Sequence, residues 1–324
     1  MANIPWRITI DTNPDLCNLN CIMCDTHSIY NKEHRKKRQI LPLEDLQNIL
    51  KQAVSLGVKE IIPSTMGEPL LYPHFSGFVE QLKGTKTLLN LTTNGTFPKK
   101  GAESWAKELL PITSDTKISI NSISKLINES IMIKADTDAS LKNIQTYLKV
   151  RDEIRADKNI HTPTVSLQVT FMHKNLNGII SIIKFAINNN IDRIKGHHLW
   201  VTYPELKNEN LRNKESHEMW NNFINKISKY RKLIKLENFE KINEEQNLSE
   251  DYYCPFIGKE LWIDSYGNYN VCCAPSEKRK EFGYFGNIND ISIDKIFSTE
   301  VYQNFQNNYN KNATCQNCLL RKRR

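Results

Sequence analysis

Short apolar runs rich in β-branched residues alternate with longer stretches of helical periodicity through the first 230 residues of this 324-residue chain. The apolar runs predict six strands, at residues 6–12, 58–65, 86–93, 116–121, 164–171 and 192–200. The periodic stretches predict helices at residues 43–55, 75–82, 103–110, 139–154, 177–188 and 216–230. Strand and helix in alternation predict parallel strands with right-handed crossovers, and six such units are too few for a closed eight-stranded barrel.

The pattern changes near residue 240. Residues 243–253 are polar and predict a linker or surface loop. The runs ELWID and YNVCC, on either side of the turn residues SYGN, then predict a β-hairpin, and residues 293–305 predict a helix. We therefore expect two domains, at residues 1–240 and 241–324.

The composition is that of a folded protein with a basic surface. Hydrophobic residues make up 39% of the chain, and no run approaches the roughly 18 apolar residues of a membrane span. The formal net charge of +8 favours anionic partners, such as a phosphorylated substrate or an acidic reductase. No aromatic-rich RNA module accompanies the charge, which argues against nucleic acid as a partner. The opening MANIPWRITIDT has no secretion signal, so we expect a cytoplasmic protein with reduced thiols.

Three cysteines follow the first predicted strand in a C-x3-C-x2-C arrangement: Cys17, Cys21 and Cys24. Such a triplet suits an iron–sulfur cluster with three protein ligands, and since a [4Fe–4S] cluster normally takes four thiolates, one iron would keep an open position. A structural zinc site would usually show paired C-x2-C knuckles or mixed Cys and His ligands, although His27 could serve as a fourth ligand. A disulfide framework would need an oxidising compartment.

The triplet and its flanks resemble the radical S-adenosylmethionine (radical SAM) superfamily. The resemblance implies a [4Fe–4S] cluster whose open iron binds the amino and carboxylate groups of SAM, which is then cleaved to a 5′-deoxyadenosyl radical. It also implies an α/β fold, a partial (β/α)6 TIM-like barrel followed by a small β-hairpin-plus-helix domain. The triplet would then lie at the C-terminal rim of the strands, where barrel enzymes place their chemistry.

The segment STMGEPLL follows the second predicted strand and resembles the GGEP motif of this family. Met66 stands where the first glycine would be, so the resemblance implies that Gly67, Glu68 and Pro69 lie near the amino group of SAM. Without the resemblance, Glu68 would suit the first turn of a helix, where its charge favours the helix dipole.

Polar residues at the ends of later strands occupy positions where the family contacts SAM. The resemblance implies that Asn94 lies near SAM, Ser119 and Asn121 near the ribose and the methionyl carboxylate, and Asn175 near the adenosine or ribose. Each also has an ordinary explanation, since Asn-Gly is a common turn dipeptide and polar groups often cap strand ends. Met23 replaces the aromatic residue that the family often packs against adenine.

Five further cysteines lie near the end of the chain. Cys254, Cys272, Cys315 and Cys318 resemble the ligands of the shorter, twitch form of the SPASM domains, which implies one auxiliary [4Fe–4S] cluster and two clusters in all. A four-cysteine zinc site is the alternative, because four thiolates suit either metal centre. We expect Cys273 to be a buried, inert thiol, with ligand exchange or proton transfer as alternatives.

The resemblance implies an oxidoreductase that abstracts a substrate hydrogen atom and passes an electron to the auxiliary cluster. We expect a sugar- or aminocyclitol-type small molecule as substrate and a flavodoxin- or ferredoxin-type reductant. Peptide modification and epimerisation are alternatives, although the early start of the barrel pattern leads us to expect no preceding peptide-binding domain. A non-catalytic electron carrier would leave the SAM-site matches unexplained.

Oxidation of an alcohol to a ketone also requires a base. Glu68, His197, His198 and Cys273 are all conceivable, and the sequence does not choose among them. Because side chains alternate in direction along a strand, one of the two histidines on the sixth strand points inward and the other outward. Only the inward one could touch adenine or substrate.

Overall fold

The computed structural model describes residues 4–32, 37–63, 66–156, 163–242, 252–274, 276–316, 318 and 320–323. The strands are β1 Arg7–Ile10, β2 Glu60–Pro63, β3 Leu88–Thr93, β4 Thr113–Ser119, β5 Thr164–Phe171, β6 Arg193–His198, β7 Lys235–Glu237, β8 Tyr252–Tyr253, β9 Glu260–Ile263, β10 Tyr269–Asn270 and β11 Lys322–Arg323. The helices are α1 Leu43–Leu56, α2 Ser76–Leu82, α3 Gly101–Leu109, α4 Lys125–Ile131, α5 Thr137–Ala156, α6 Ile179–Asn188, α7 Lys214–Ile227, α8 Ser276–Lys280, α9 Glu300–Asn308 and α10 Ala313–Gln316.

Within these residues, one nine-stranded sheet has the order β10-β9-β1-β2-β3-β4-β5-β6-β7. Every neighbouring pair is parallel except β9 and β10. The order is linear, so the sheet is an open partial barrel, and the α/β prediction with alternating strands and helices is confirmed. All six predicted strands are present.

Three strands, β7, β9 and β10, widen the sheet beyond the six predicted for the barrel. β7 has only three residues, too few to show a periodic pattern, and it pairs with β6. β9 belongs to the predicted hairpin with β10, yet it also pairs in parallel with β1, from Arg7↔Glu260 to Ile10↔Ile263. The end of the chain therefore contributes strands to the main sheet, and the division into domains at residue 240 stays a prediction.

Six helices, α1 to α3 and α5 to α7, lie where the sequence predicts them. α1 buries Leu46, Ile49, Leu50 and Ala53 at helical spacing and ends at Gly57, whose φ of 75° suits glycine. The helix predicted from residue 293 begins instead at Glu300, because the Thr299 hydroxyl accepts a hydrogen bond from the Tyr302 amide and caps α9. α4, α8 and α10 were not predicted.

The polar linker predicted at residues 243–253 lies outside the described residues as far as residue 251. Its last two residues form β8, which pairs with β11 in a small antiparallel ribbon. None of the helices in the described ranges is both long enough and apolar enough to cross a membrane.

The two faces of the large sheet differ in chemistry because side chains alternate along each strand. Outward-facing residues such as Ile8, Ile61 and Leu167 belong to the hydrophobic core beneath the helices. The inner face carries ion pairs towards the amino ends of the strands: Arg7 with Glu60 (2.6 Å) and Glu260 (3.0 Å), Arg193 with Asp115 (2.5 Å) and Glu237 (3.0 Å), Lys117 with Asp115 (3.6 Å), and Lys195 with Glu237 (3.2 Å). These four cations and four carboxylates, which we call the ion-pair floor, together have no net charge.

Candidate active site

The loop after β1 holds the first three cysteines as free, partly buried thiols. Backbone amides point at two of the sulfurs: the Leu19 amide donates to Cys17 Sγ (3.5 Å), and the His27 amide donates to Cys24 Sγ (3.3 Å). The amide of Cys24 donates to the carbonyl of Cys21 (3.0 Å), which tightens the C-x2-C half of the loop. Amide groups directed at sulfur favour negative charge on it, as a metal-bound thiolate requires.

Burial raises the pKa of all three thiols, and that of Cys24 reaches about 11. The charges of Cys17 and Cys24 raise the pKa of Cys21 further, so the three sulfurs lie within electrostatic reach of one another. Three thiolates in one loop need a positively charged partner, and the donor set and its burial fit an iron–sulfur cluster. Within the described ranges, no three His, Cys, Asp or Glu side chains surround a point suited to a single metal ion.

Gly67 lies directly against the cysteine loop. A Cβ at this position would stand 2.1 Å from the carbonyl oxygen of Asn13 and 2.7 Å from that of Leu16, so only glycine fits. The Glu68 amide donates to Leu16 O (2.9 Å), and Asn13 Nδ2 donates to Glu68 O (2.8 Å). The predicted G-E-P segment is therefore locked onto the loop that carries the cysteines.

Glu68 is 2% exposed and accepts three hydrogen bonds. The donors are the Leu70 amide (3.2 Å), the Thr93 hydroxyl (2.8 Å) and the Asn94 amide (2.8 Å). Burial raises the pKa of Glu68 to about 7, against the effect of these donors. The carboxylate thus fixes the loops after β2 and β3, and Pro69 begins the turn that it caps.

Asn94 reaches the first cysteine. Its Nδ2 lies 3.9 Å from Cys17 Sγ and donates to Asn18 Oδ1 (2.8 Å), while its Oδ1 accepts from the Thr96 amide (3.0 Å). Sequence reasoning missed Asn13 and Asn18 in this arrangement. Their positions on either side of Cys17 in DTNPDLCNLNC were the available signal.

The remaining predicted SAM contacts lie at the carboxyl ends of β4 and β5. Ser119 is partly exposed, on the same strand face as Lys117. Asn121 Oδ1 accepts from the Thr170 amide (2.9 Å), and Asn175 Nδ2 donates to both Asn121 O (3.0 Å) and Thr170 O (2.9 Å). Both amide hydrogens of Asn175 are thus used within the chain, where they join the two strand ends. Contact of these residues with SAM stays a prediction.

The two histidines of β6 face opposite sides of the sheet, as alternation predicts. The His198 ring packs 4.6 Å from the ring of Trp220 in α7, and its buried Nδ1 has no hydrogen-bond partner among the described residues. His197 shares the inner face with Lys195. Burial, together with the charge of Lys195, lowers the pKa of His197 to about 4, so its imidazole is neutral near pH 7.

The second cysteine set is assembled from three separate segments. Cys254 follows β8 and Cys318 precedes β11, and the pairing of Tyr253 with Lys322 brings these two ends together. Burial raises the pKa of Cys315 to about 12, and the charges of Cys272, Cys254 and Cys318 add to the effect. The four predicted ligands therefore lie within electrostatic reach of one another, and four thiols suit a fully ligated cluster.

Cys273 departs from its prediction, because the residue is exposed. A hydrogen bond between the sulfurs of Cys272 and Cys273 lowers the pKa of Cys272 and raises that of Cys273. The predicted burial is therefore wrong.

Comparison with known proteins identifies two domains. Residues 14–157 match the family model of the radical SAM superfamily, and residues 254–319 match that of the SPASM iron–sulfur cluster-binding domain. The chain carries a radical SAM domain followed by a SPASM domain. It is an enzyme, and its two matched domains imply SAM and [4Fe–4S] clusters as cofactors.

Several relatives share most of this chain. The tungsten-containing aldehyde ferredoxin oxidoreductase cofactor-modifying protein of Pyrococcus furiosus is 23% identical over 94% of this chain and 85% of its own length. Streptococcus suis SuiB bound to S-adenosylmethionine is 19% identical, with a TM-score of 0.71 over 98% of this chain and 71% of SuiB. BtrN in complex with AdoMet and 2-DOIA is 16% identical, with a TM-score of 0.53 over 98% of this chain and 94% of BtrN. The two solved structures show that the fold is shared.

Proposed function

We propose that this radical SAM enzyme oxidises a small polyhydroxylated or amino-sugar substrate of the aminocyclitol type. Cys17, Cys21 and Cys24 would hold the SAM-binding cluster, and the set Cys254, Cys272, Cys315 and Cys318 would hold the auxiliary cluster. When bound, the first cluster and SAM supply an acceptor for a hydrogen atom, and the auxiliary cluster supplies an acceptor for one electron.

The polar inner face of the barrel carries this proposal. Towards the carboxyl ends of the strands it presents hydroxyl, amide and imidazole groups from Ser119, Gln168, Thr170 and His197, as the strand registers show. Below them lies the ion-pair floor, whose charges are balanced. Neutral hydrogen-bonding groups above a neutral floor suit a substrate rich in hydroxyl groups.

His197 is the proposed proton acceptor among the four conceivable bases. Glu68 already accepts three hydrogen bonds, His198 faces the helices, and the Cys273 sulfur is engaged by Cys272. His197 faces inward, and its neutral ring nitrogen can accept the proton of a substrate hydroxyl as the adjoining carbon loses its hydrogen. Gln168 and Thr170, two residues apart on the inner face of β5, would hold neighbouring hydroxyl groups of the substrate.

Peptide modification or epimerisation is the second candidate. SuiB, which shares the fold with a TM-score of 0.69, has been solved with its precursor peptide SuiA. Near the cysteine loop and the end of β6, this chain exposes apolar side chains, including Ile29 (52% exposed), Trp200 (48%) and Val201 (41%). An apolar rim of this kind could seat a peptide.

The proposal includes a cytoplasmic location and a flavodoxin- or ferredoxin-type reductant. A reducing compartment would keep all eight cysteines as free thiols, including the seven predicted cluster ligands. The net charge of +8 favours association with an acidic electron donor.

Anaerobic reconstitution with iron and sulfide tests the cofactor assignment. We expect about eight irons per chain in the wild type and about four in Cys17→Ala/Cys21→Ala/Cys24→Ala, with loss of 5′-deoxyadenosine formation. A fully loaded wild type that does not cleave SAM would overturn the proposal. Ring-deuterated 2-DOIA and related aminocyclitols, tested beside short peptides, would show by deuterium transfer to 5′-deoxyadenosine which candidate substrate class reacts.

His197→Gln then tests the base. Glutamine can still hydrogen-bond a hydroxyl but cannot take its proton, so deuterium transfer should persist while ketone formation falls about 100-fold. His198→Phe, on the outer face of the same strand, is the matched control and should form product at the wild-type rate.

A further inference from the structure

We infer that the buried ion pair between Arg279 and Asp11 sets the reduction potential of the auxiliary cluster. Arg279 Nη1 and Asp11 Oδ2 are 2.9 Å apart, and the two residues are 6% and 3% exposed. Neither residue belongs to a predicted cluster ligand set. The pair connects the cysteine-rich end of the chain with the strand that leads into the first cysteine loop.

Arg279 is held close to an auxiliary ligand through one intervening residue. Its Nε donates to the carbonyl of Ala274 (2.7 Å), and the amide of Ala274 donates to Cys272 Sγ (3.4 Å). One residue thus separates the guanidinium from the sulfur that would bind the cluster, so the charge of Arg279 lies close to that sulfur.

Asp11 is fixed at the rim of the sheet. It follows β1, and its amide donates to the carbonyl of Ile263 in β9 (2.8 Å). Asp264 lies nearby: burial raises its pKa, and the charge of Asp11 raises it further. Two carboxylates thus share a buried region in which Arg279 provides positive charge.

The effect on the cluster follows from its change of charge. Reduction adds one negative charge to the cluster, and the field of a nearby group is weakly screened where water is excluded. The guanidinium favours the reduced state, whereas the carboxylate opposes it. With the pair intact these effects partly cancel, and removal of either charge shifts the balance in favour of the other.

The two single substitutions should therefore shift the potential in opposite directions. Asp11→Asn removes the negative charge and should raise the one-electron reduction constant about tenfold, which corresponds to about 59 mV in the potential. Arg279→Gln removes the positive charge and should lower the constant by a comparable factor. The double variant should return close to the wild-type potential, and Arg279→Lys, which keeps the charge, should stay close to it.

The measurement is a redox titration followed by electron paramagnetic resonance. It is made in the Cys17→Ala/Cys21→Ala/Cys24→Ala background, so that only the auxiliary cluster contributes, and only protein with about four irons per chain is compared. Lys278→Gln, which removes an exposed cation from the same short helix, is the control and should leave the potential unchanged.

Equal or same-direction shifts in the two single variants would overturn the inference, and so would no shift at all. An equally large shift in Lys278→Gln would show a general effect of net charge instead. A purely structural role would lower the thermal midpoint of both variants without moving the potential in opposite directions. The titration needs no substrate, so its outcome is independent of which substrate class the enzyme takes.

Discussion

The two cysteine sites of this enzyme are built in different ways. The first takes its three thiols from eight consecutive residues in one loop, braced by Gly67, Asn13 and Glu68. The second draws four thiols from three segments spread over residues 254–318; the β8–β11 ribbon joins two of these segments, and the Arg279–Asp11 pair ties the region to β1. The first site therefore depends on close local packing, and the second depends on long-range contacts.

Gly67→Ala should have the largest effect, because the added methyl would overlap backbone carbonyl oxygens that cannot move without displacing the cysteine loop. We expect a loss of about 3 kcal/mol or more in the free energy of unfolding. Iron content should fall from about eight towards about four per chain, with no 5′-deoxyadenosine formed.

Gly178→Ala is the matched control for that substitution. Its nearest neighbour would be the Ser122 hydroxyl at 3.3 Å, which a small side-chain shift can relieve. If Gly67→Ala kept both clusters and SAM cleavage, the close packing of the first loop would not be essential.

Removal of two auxiliary ligands should abolish the auxiliary cluster and leave the first cluster intact. In Cys315→Ala/Cys318→Ala we expect about four irons in place of about eight, with 5′-deoxyadenosine formation retained and product formation lost. Cys273→Ala should keep about eight irons, because this cysteine lies outside the predicted ligand set. Loss of both clusters in the double variant would instead show that the sites form as one unit.

This contrast also explains how much the sequence predicted. Buried parallel strands are marked by continuous apolar runs, so the order of strands and helices from residue 6 to residue 230 was predictable. The first cysteine loop was predictable because its ligands are close in sequence. Gly67 was found through its motif, and the structure supplies the reason, which is the approach of the Asn13 carbonyl.

The features that escaped prediction depend on distant partners. Nothing local indicates that β9 pairs with β1, since the register Arg7↔Glu260 joins residues 253 positions apart. The same limit applies to the link between Arg279 and Asp11, and to the selection of His197 over His198. Alternation shows that the two histidines differ, but only the packing of Trp220 shows which one faces outward.

Glu68 allows the bracing of the first loop to be tested by pH. Burial raises its pKa from 4.5 to about 7, so between these values the folded state binds more protons than the unfolded state. The free energy of unfolding therefore falls as pH rises through this window. Relative to Glu68→Gln, which cannot titrate, the thermal midpoint of the wild type should fall by a few degrees between about pH 5 and about pH 8.

Anaerobic calorimetry of the cluster-loaded proteins measures this difference. Glu44→Gln, an exposed position in the first turn of α1, should run parallel to the wild type across the whole range. If the midpoint of the wild type relative to that of Glu68→Gln stayed constant or rose with pH, the buried carboxylate would be ionised across the whole range, stabilised by its three hydrogen-bond donors.

Tyr203→Phe should have the smallest effect and should act on one site only. The Tyr203 hydroxyl lies 2.8 Å from the Asp25 carbonyl and 3.2 Å from that of Cys24, which fastens the segment after β6 to the end of the cysteine loop. Its removal should cost about 1 kcal/mol and weaken SAM binding a few-fold, because the loop is held less firmly. Tyr266→Phe, on the exposed turn between β9 and β10, should change neither quantity. SAM titration monitored by electron paramagnetic resonance would show the first cluster altered and the auxiliary signal unchanged. A change in the auxiliary signal would mean that the locally braced loop and the long-range site are mechanically coupled.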